Sequence, residues 1–219
     1  MQNGSYSNLA DGATTQRQVR IIRRGNNMAQ ELASIVGPSF KFLLDSFGFK
    51  CIVATKTFVR WESPAVFVSC NYDFGRSFEL SVEIGQKAGN PERPFNFGEF
   101  VRSQAVPEAE WPSGYTAVTP DAVESLAVKL ARILSHYGRP LLTDESKAWN
   151  RLTDLRDREC CEFALQQELR YAREDAKEAW KAKDFRWFIQ CLAQYRGVLE
   201  ASELEKLKYA DSRVSDISG

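Results

Sequence analysis

Two adjacent segments near the middle of the chain alternate in polarity with a period of two. Over residues 65–72, Val66, Val68, Cys70 and Tyr72 occupy every second position. Over residues 77–84, Phe78, Leu80, Val82 and Ile84 do the same, separated by Ser77, Glu79, Ser81 and Glu83. Successive side chains of an extended strand point to opposite faces, so this pattern describes a sheet with one face in a core and one toward water. The short Asp73-Phe74-Gly75-Arg76 link joins the two runs as an antiparallel hairpin. Most of the remaining chain is helical in pattern. A helical bundle is therefore excluded, and the fold class is α+β.

The flanking segments supply the other elements. Leu32, Val36, Phe40, Leu43 and Leu44 recur at helical spacing, with Pro38 as an interruption and Gly48 as a stop. Residues 50–55 and 57–61 read as strands, and Glu62-Ser63-Pro64 turns the second into the hairpin. The expected sheet is a small antiparallel meander of three or four strands. Asn96 followed by Glu99 forms a capping box for a short helix holding Phe97, Phe100 and Val101. Thr119 as cap, Pro120 at the first helical position and Gly138 with Pro140 at the end delimit a helix. Its face of Val123, Leu126, Leu130, Ile133, Leu134 and Tyr137 is expected to pack on the sheet.

A long helix runs from Asp144 toward Lys183, with Leu165, Leu169, Ala172, Ala176 and Ala179 as a seam at spacings of four and three. Asp184 caps the next helix, and Ser202 with Glu205 caps the last. The run Ala179-Trp180-Lys181-Ala182-Lys183-Asp184-Phe185 resembles the turn of a tetratricopeptide hairpin. A stacked array needs about three repeats, so one hairpin packed on the long helix is expected instead. The organisation is then a polar, mildly basic tail over residues 1–27, an α+β domain over 28–142, a helical extension over 143–213 and a tail over 214–219. Met28 opens the first helical pattern and offers an alternative translation start.

Net charge is zero, which removes any global field favouring nucleic acid or an anionic membrane. The five cysteines are an odd number without framework spacing. Cys51 and Cys70 lie in apolar strand runs, and adjacent Cys160-Cys161 do not readily bridge each other. Reduced thiols in the cytoplasm are expected. No apolar run approaches the length of a bilayer span, and the N-terminus lacks the apolar stretch of a signal peptide.

Few residues carry chemistry. His136 is the only histidine, so any nucleophile–histidine arrangement would have to use it. It lies at a helix end and reads as a surface residue. Without a Cys-x-x-Cys pair, no metal site is expected. Glu79 and Glu83 share a strand face, but a spacing of four separates their α-carbons by about 13 Å. That is too far to share a proton or one cation. Asp73-Phe74-Gly75 matches the magnesium-binding triplet of protein kinases, but it sits in a hairpin turn and the other kinase loops are missing. No catalytic residue and no cofactor are assigned.

The aromatics are more suggestive. Trp61, Phe67 and Trp111 exceed what a one-sided sheet needs, so either helices cover both faces or an aromatic surface is offered to a partner. The candidate partner contacts are Arg60, Trp61, Phe67, Asp73, Arg76, Glu79 and Glu83. Arg17, Arg20, Arg23 and Arg24 of the tail are the candidates for nucleic-acid phosphates.

Several segments resemble a diffuse group of small uncharacterised bacterial proteins, some of the immunity or defence-associated kind. They are Phe47-Gly48-Phe49, Val59-Arg60-Trp61-Glu62-Ser63-Pro64 with Val66-Phe67-Val68, and Arg76-Ser77-Phe78-Glu79-Leu80-Ser81-Val82-Glu83-Ile84-Gly85. Pro94-Phe95-Asn96-Phe97, Tyr137-Gly138-Arg139-Pro140-Leu141-Leu142 and the hairpin turn at 179–185 complete the set. The likeness lies in strand and helix punctuation, covers most of residues 28–209 and carries no catalytic residues. It implies a bacterial cytosolic protein. The first functional reading is a non-catalytic protein-binding module, immunity-like or defence-accessory, with a protein partner. The second is a nucleic-acid-associated protein using the basic tail. The third is an enzyme using Glu79, Glu83 and His136.

Overall fold

Pro38 and the left-handed backbone at Gly48 (φ 69°) cut the first helical pattern into α1 (Leu32–Val36) and α2 (Lys41–Phe47). The computed structural model describes residues 32–88 and 93–217. The tail arginines Arg17, Arg20, Arg23 and Arg24 and the alternative start at Met28 lie outside the described residues. After α2 the chain runs through β1 (Lys50–Ala54), β2 (Phe58–Glu62), β3 (Val66–Tyr72) and β4 (Leu80–Gln86), with β5 (Phe95–Asn96) last. Each strand pairs antiparallel with the next, giving a five-stranded sheet in sequence order. The α+β class stands, with one more strand than the three or four expected. β5 is two residues long, too short to show any periodicity.

The hairpin is offset from its expected position. Tyr72 pairs with Leu80, so residues 73–79 form the connection rather than a four-residue turn. The Asp73 N–H donates to the Glu79 carbonyl, the Phe78 N–H to the Asp73 carbonyl and the Ser77 hydroxyl to the Asp73 carboxylate. Phe78 takes φ 54°, which ends the extended run before it reaches residue 77. Glu79 makes an isolated bridge to Thr116 instead. The parity of the strand survives: Leu80, Val82 and Ile84 face the core.

Helix α3 (Phe97–Ser103) begins with the expected capping box. The Glu99 N–H donates to the Asn96 side chain at 2.9 Å, and the Asn96 N–H donates to the Glu99 carboxylate at 2.8 Å. Helix α4 (Pro120–Tyr137) starts at its Thr119 cap and buries Val123, Ala127, Leu130, Ala131, Ile133 and Leu134. It packs against α1 and β4, and α1 also reaches β2. Helix α4 ends at Tyr137 with Gly138 as its C-cap, as expected, and Pro140 lies beyond it. It occupies the first turn of a short α5 (Arg139–Leu142), where its missing N–H costs nothing.

The chain divides into two compact units, one ending at Leu155 and one starting at Arg156. Helix α6 (Ser146–Lys181) spans this division. Its Ala148, Trp149 and Leu152 belong to the core of the first unit. The second unit contains the rest of α6, α7 (Phe185–Leu192), a 3-10 turn (Ala193–Val198) and α8 (Ala201–Ile217). Its core is Ala176, Ala179, Phe188, Leu192, Leu207 and Ala210. Of the expected seam, Leu165 is 40% exposed, whereas Leu169, Ala176 and Ala179 are buried. Asp184 caps α7 through the Trp187 N–H, as expected. The last helix is capped differently: the Glu200 N–H donates to the Glu203 carboxylate, and the Ser202–Glu205 box does not form. Glu203 does this because Arg173 already holds its carboxylate there with two hydrogen bonds of 2.7 and 2.8 Å.

Candidate partner-binding surfaces

The side chains on the two faces of the sheet follow from strand parity. Val59 and Trp61 of β2 lie on the core face with Val68 and Cys70, to which they are paired. Trp61 is 3% exposed and stacks on Phe40 with ring centroids 5.1 Å apart and planes 17° from parallel. Burial pushes the Cys70 thiol well above its usual range, so it is an inert core group.

The other face is polar and organised in rows by the register. One row crosses β2, β3, β4 and β5 through Arg60, Ser69, Glu83 and Asn96. Ser69 is buried, and its hydroxyl lies 3.4 Å from the Glu83 carboxylate as donor. The next row sets Glu62, Phe67 and Gly85 side by side. The Phe67 ring lies so close over Gly85 that a β-carbon there would fall 2.4 Å from its nearest carbon. The Arg60 guanidinium covers the ring from above at 3.8 Å from the centroid. Arg60 Nε donates to Glu62 at 2.8 Å, and Lys87 Nζ reaches the second Glu62 oxygen at 2.8 Å. The Lys87 hydrogen bond, reinforced by Arg60, holds the Glu62 carboxyl below the usual carboxylate range.

These positions correct the aromatic part of the expected contact set. Trp61 belongs to the core, and Phe67, at 1% exposure, is roofed by a side chain of its own sheet. Neither ring is available to a partner. The parity of Trp61 with Val59 was the signal for the first. An oppositely charged pair two positions apart on a strand, Arg60 and Glu62, was the signal for the second. Arg60 and Glu83 are half-buried and preformed. Arg76 and Glu79 are exposed at the 73–79 connection, and Asp73 organises that connection by accepting from Ser77.

The residues of the enzymatic reading are not drawn together. Glu83 belongs to the Ser69 row, and Glu79 lines a small cleft beside Tyr115. His136 is exposed at the end of α4, its ring edge-on to Tyr137 at 4.5 Å, in an open cleft with Glu110, Arg132 and Ser135. The Tyr137 hydroxyl donates to Glu110 at 2.7 Å, which raises the phenol's pKa because losing that proton would put two anions together. Among the described residues there is no group of three His, Cys, Asp or Glu placed to hold a metal ion, and no helix long and apolar enough to cross a membrane.

The helical unit has its own electrostatic fastening. The paired Arg173 guanidinium holds the Glu203 carboxyl below its ordinary value of 4.5. A carboxyl depressed by folding stabilises the folded state above its unfolded pKa, and this contribution disappears as pH falls through the folded value. Thermal unfolding of wild type and Glu203→Gln should therefore differ at pH 7, with wild type the more stable, and the gap should narrow as pH falls below 4.5 toward and through the lowered folded value. A gap that does not narrow at all as the pH is lowered would assign the difference to packing rather than charge.

Comparisons with protein-family models, curated proteins and solved structures gave no match to this chain. The surfaces themselves carry the functional argument.

Proposed function

We propose that this protein is a non-catalytic protein-binding module that meets its partner through the polar face of the sheet and the adjoining 73–79 connection. The observation that supports this best is the preformed row Arg60, Ser69, Glu83 and Asn96, backed by the Arg60–Glu62–Lys87 cluster. Polar side chains already held in place lose little freedom when a partner docks, and their fixed charges select a complementary surface. Arg60, Asp73, Arg76, Glu79 and Glu83 are the contacts in this reading. Trp61 and Phe67 support them from beneath. The resemblance to immunity-like bacterial proteins fits a cytoplasmic role in which such a surface covers the working face of another protein.

Arg76→Glu combined with Glu79→Arg tests the proposal. Both side chains are exposed, and the exchange inverts the local charge pattern at constant net charge. Affinity purification from the native cells should recover a stoichiometric protein partner with the wild type. The double variant should bind that partner at least about tenfold more weakly while melting at the same temperature. Undiminished binding by the variant would move the contact off this face, and nucleic acid recovered without a protein would replace the reading.

A further inference from the structure

Within the helical unit, α6, α7 and α8 leave a cavity of about 220 Å³ that none of the expected contacts touches. Its apolar lining is Ala176, Phe188 and Leu192, with Trp180 as one wall. A second cleft opens on the other side of Trp180, where Phe185 and Tyr209 meet it. The indole is held by three rings at once: Phe188 at 4.9 Å, Phe185 at 5.7 Å and Tyr209 at 5.8 Å between centroids. It is therefore a fixed wall rather than a mobile cover.

The rim of this apolar site is cationic. Arg173 and Lys181 are neutralised by Glu203 and Glu178 respectively. Lys177 and Lys206 on the first cavity and Lys183 on the second cleft form no close ion pair among the described residues, although Lys177 and Lys206 feel the charges of Glu178 and Glu203, and the rim keeps more positive than negative groups. Lys206 Nζ stands 5.8 Å from the Trp180 ring centroid, over the aromatic wall. Arg213 adds a further positive charge to the second cleft, where its Nε donates to the Tyr209 hydroxyl. An apolar floor bordered by an excess of cationic side chains is complementary to an apolar side chain flanked by carboxylates.

We propose that this groove binds an acidic peptide segment of a partner protein, which seats one apolar side chain against Trp180, Phe188 and Leu192 and sets carboxylates against Lys177, Lys206 and Lys183. A peptide is favoured over single-stranded nucleic acid by the shape of the site. Base stacking needs an open ring face, whereas Trp180 is already packed by three aromatic neighbours and the floor includes aliphatic Ala176 and Leu192. The site shares no residue with the sheet face, so either assignment can fail without the other.

The test selects random twelve-residue peptides, displayed on phage, against the intact chain, then measures binding of the recovered peptides and of fluorescein-labelled oligo(dT) by anisotropy. The expected peptides are rich in Asp and Glu around one Leu, Phe or Trp. Their affinity should fall at least tenfold in Lys177→Glu/Lys206→Glu and fall steeply with added salt. Both lysines are rim residues, and unchanged helical circular dichroism and melting would show that the variant is folded. Trp180→Phe, which keeps a ring in place, should weaken the same peptides severalfold. Recovery of peptides without acidic enrichment, or of peptides that bind the lysine variant as tightly as wild type, would overturn the proposal. Tighter binding of oligo(dT), lost in the same variant, would also overturn it and assign the groove to nucleic acid.

Discussion

Trp61→Ala should destabilise the α+β unit by about 3–5 kcal/mol, the range for deleting a large buried aromatic from a core that collapses only partly. The indole is 3% exposed, pairs across the sheet with Val68 and stacks on Phe40, which is itself fully buried. Removing it withdraws contacts from β2, β3 and the turn between α1 and α2 together. A loss of this size is a large fraction of a domain's total stability. Urea unfolding followed by circular dichroism should show the midpoint falling with little change in slope. A loss below about 1 kcal/mol would contradict the buried stack. The result also bears on interpretation of binding data: weakened partner binding by Trp61→Ala would report unfolding, whereas the Arg76→Glu/Glu79→Arg exchange reports the surface.

Gly85→Ala should cost about 1–3 kcal/mol, although it adds one methyl group to a strand that ordinarily tolerates alanine better than glycine. The added carbon would stand 2.4 Å from the Phe67 ring, and 2.6 Å from a second ring carbon, so the ring must leave. Its departure uncovers the Arg60 stack and the Arg60–Glu62–Lys87 cluster above it. Phe67→Ala should cost more, about 3–5 kcal/mol, by exposing the glycine backbone and removing the contacts of a ring that is 1% exposed. In the double variant the two losses should add to distinctly less than their sum, because the clash no longer exists once the ring is gone. Strict additivity in a double-mutant cycle would mean that ring and glycine are independent. An aromatic laid across a cross-strand glycine is a known way to stabilise such a position.

Local signals in the chain translated well where a few neighbouring residues decide the outcome. The Asn96–Glu99 box, the Thr119–Pro120 start and the Asp184 cap all formed, because each is a hydrogen bond between groups three residues apart or a fixed φ. The last helix shows the limit. Ser202–Glu205 had equally good spacing, but the two hydrogen bonds from Arg173, thirty positions away, place Glu203 as the cap instead. The 73–79 connection departed for a similar reason. The Leu80 N–H donates to the Tyr115 carbonyl and the Ala117 N–H to the Phe78 carbonyl, so residues 78–80 bridge to the 115–117 segment and the ladder with β3 starts later than polarity alone implied.

The candidate surfaces were legible only in part. Alternation placed Ser81 and Glu83 on the polar face, and charge marked Arg60, Arg76 and Glu79 as contacts. Alternation could not tell that Phe67, on that same face, is sealed between Gly85 and Arg60, because a period of two assigns a face and says nothing about what lies over it. The groove beside Trp180 had a faint trace in Lys177, Trp180 and Lys181, which share one helical face by their spacing of three and four. Nothing local indicates that Phe188 and Leu192 of α7 and Lys206 of α8 complete it.

Side-chain order along the chain was enough for the α+β class, the core parity of β3 and β4, and most helix limits. These depend on side-chain periodicity and on caps within a single turn. The fifth strand, the Glu203 cap and the cationic groove came only with the folded chain, as did the way Phe40 and Arg60 cover Trp61 and Phe67. Each of those depends on residues far apart in the chain meeting in space, where burial and pairing are properties of the neighbours rather than of the residue.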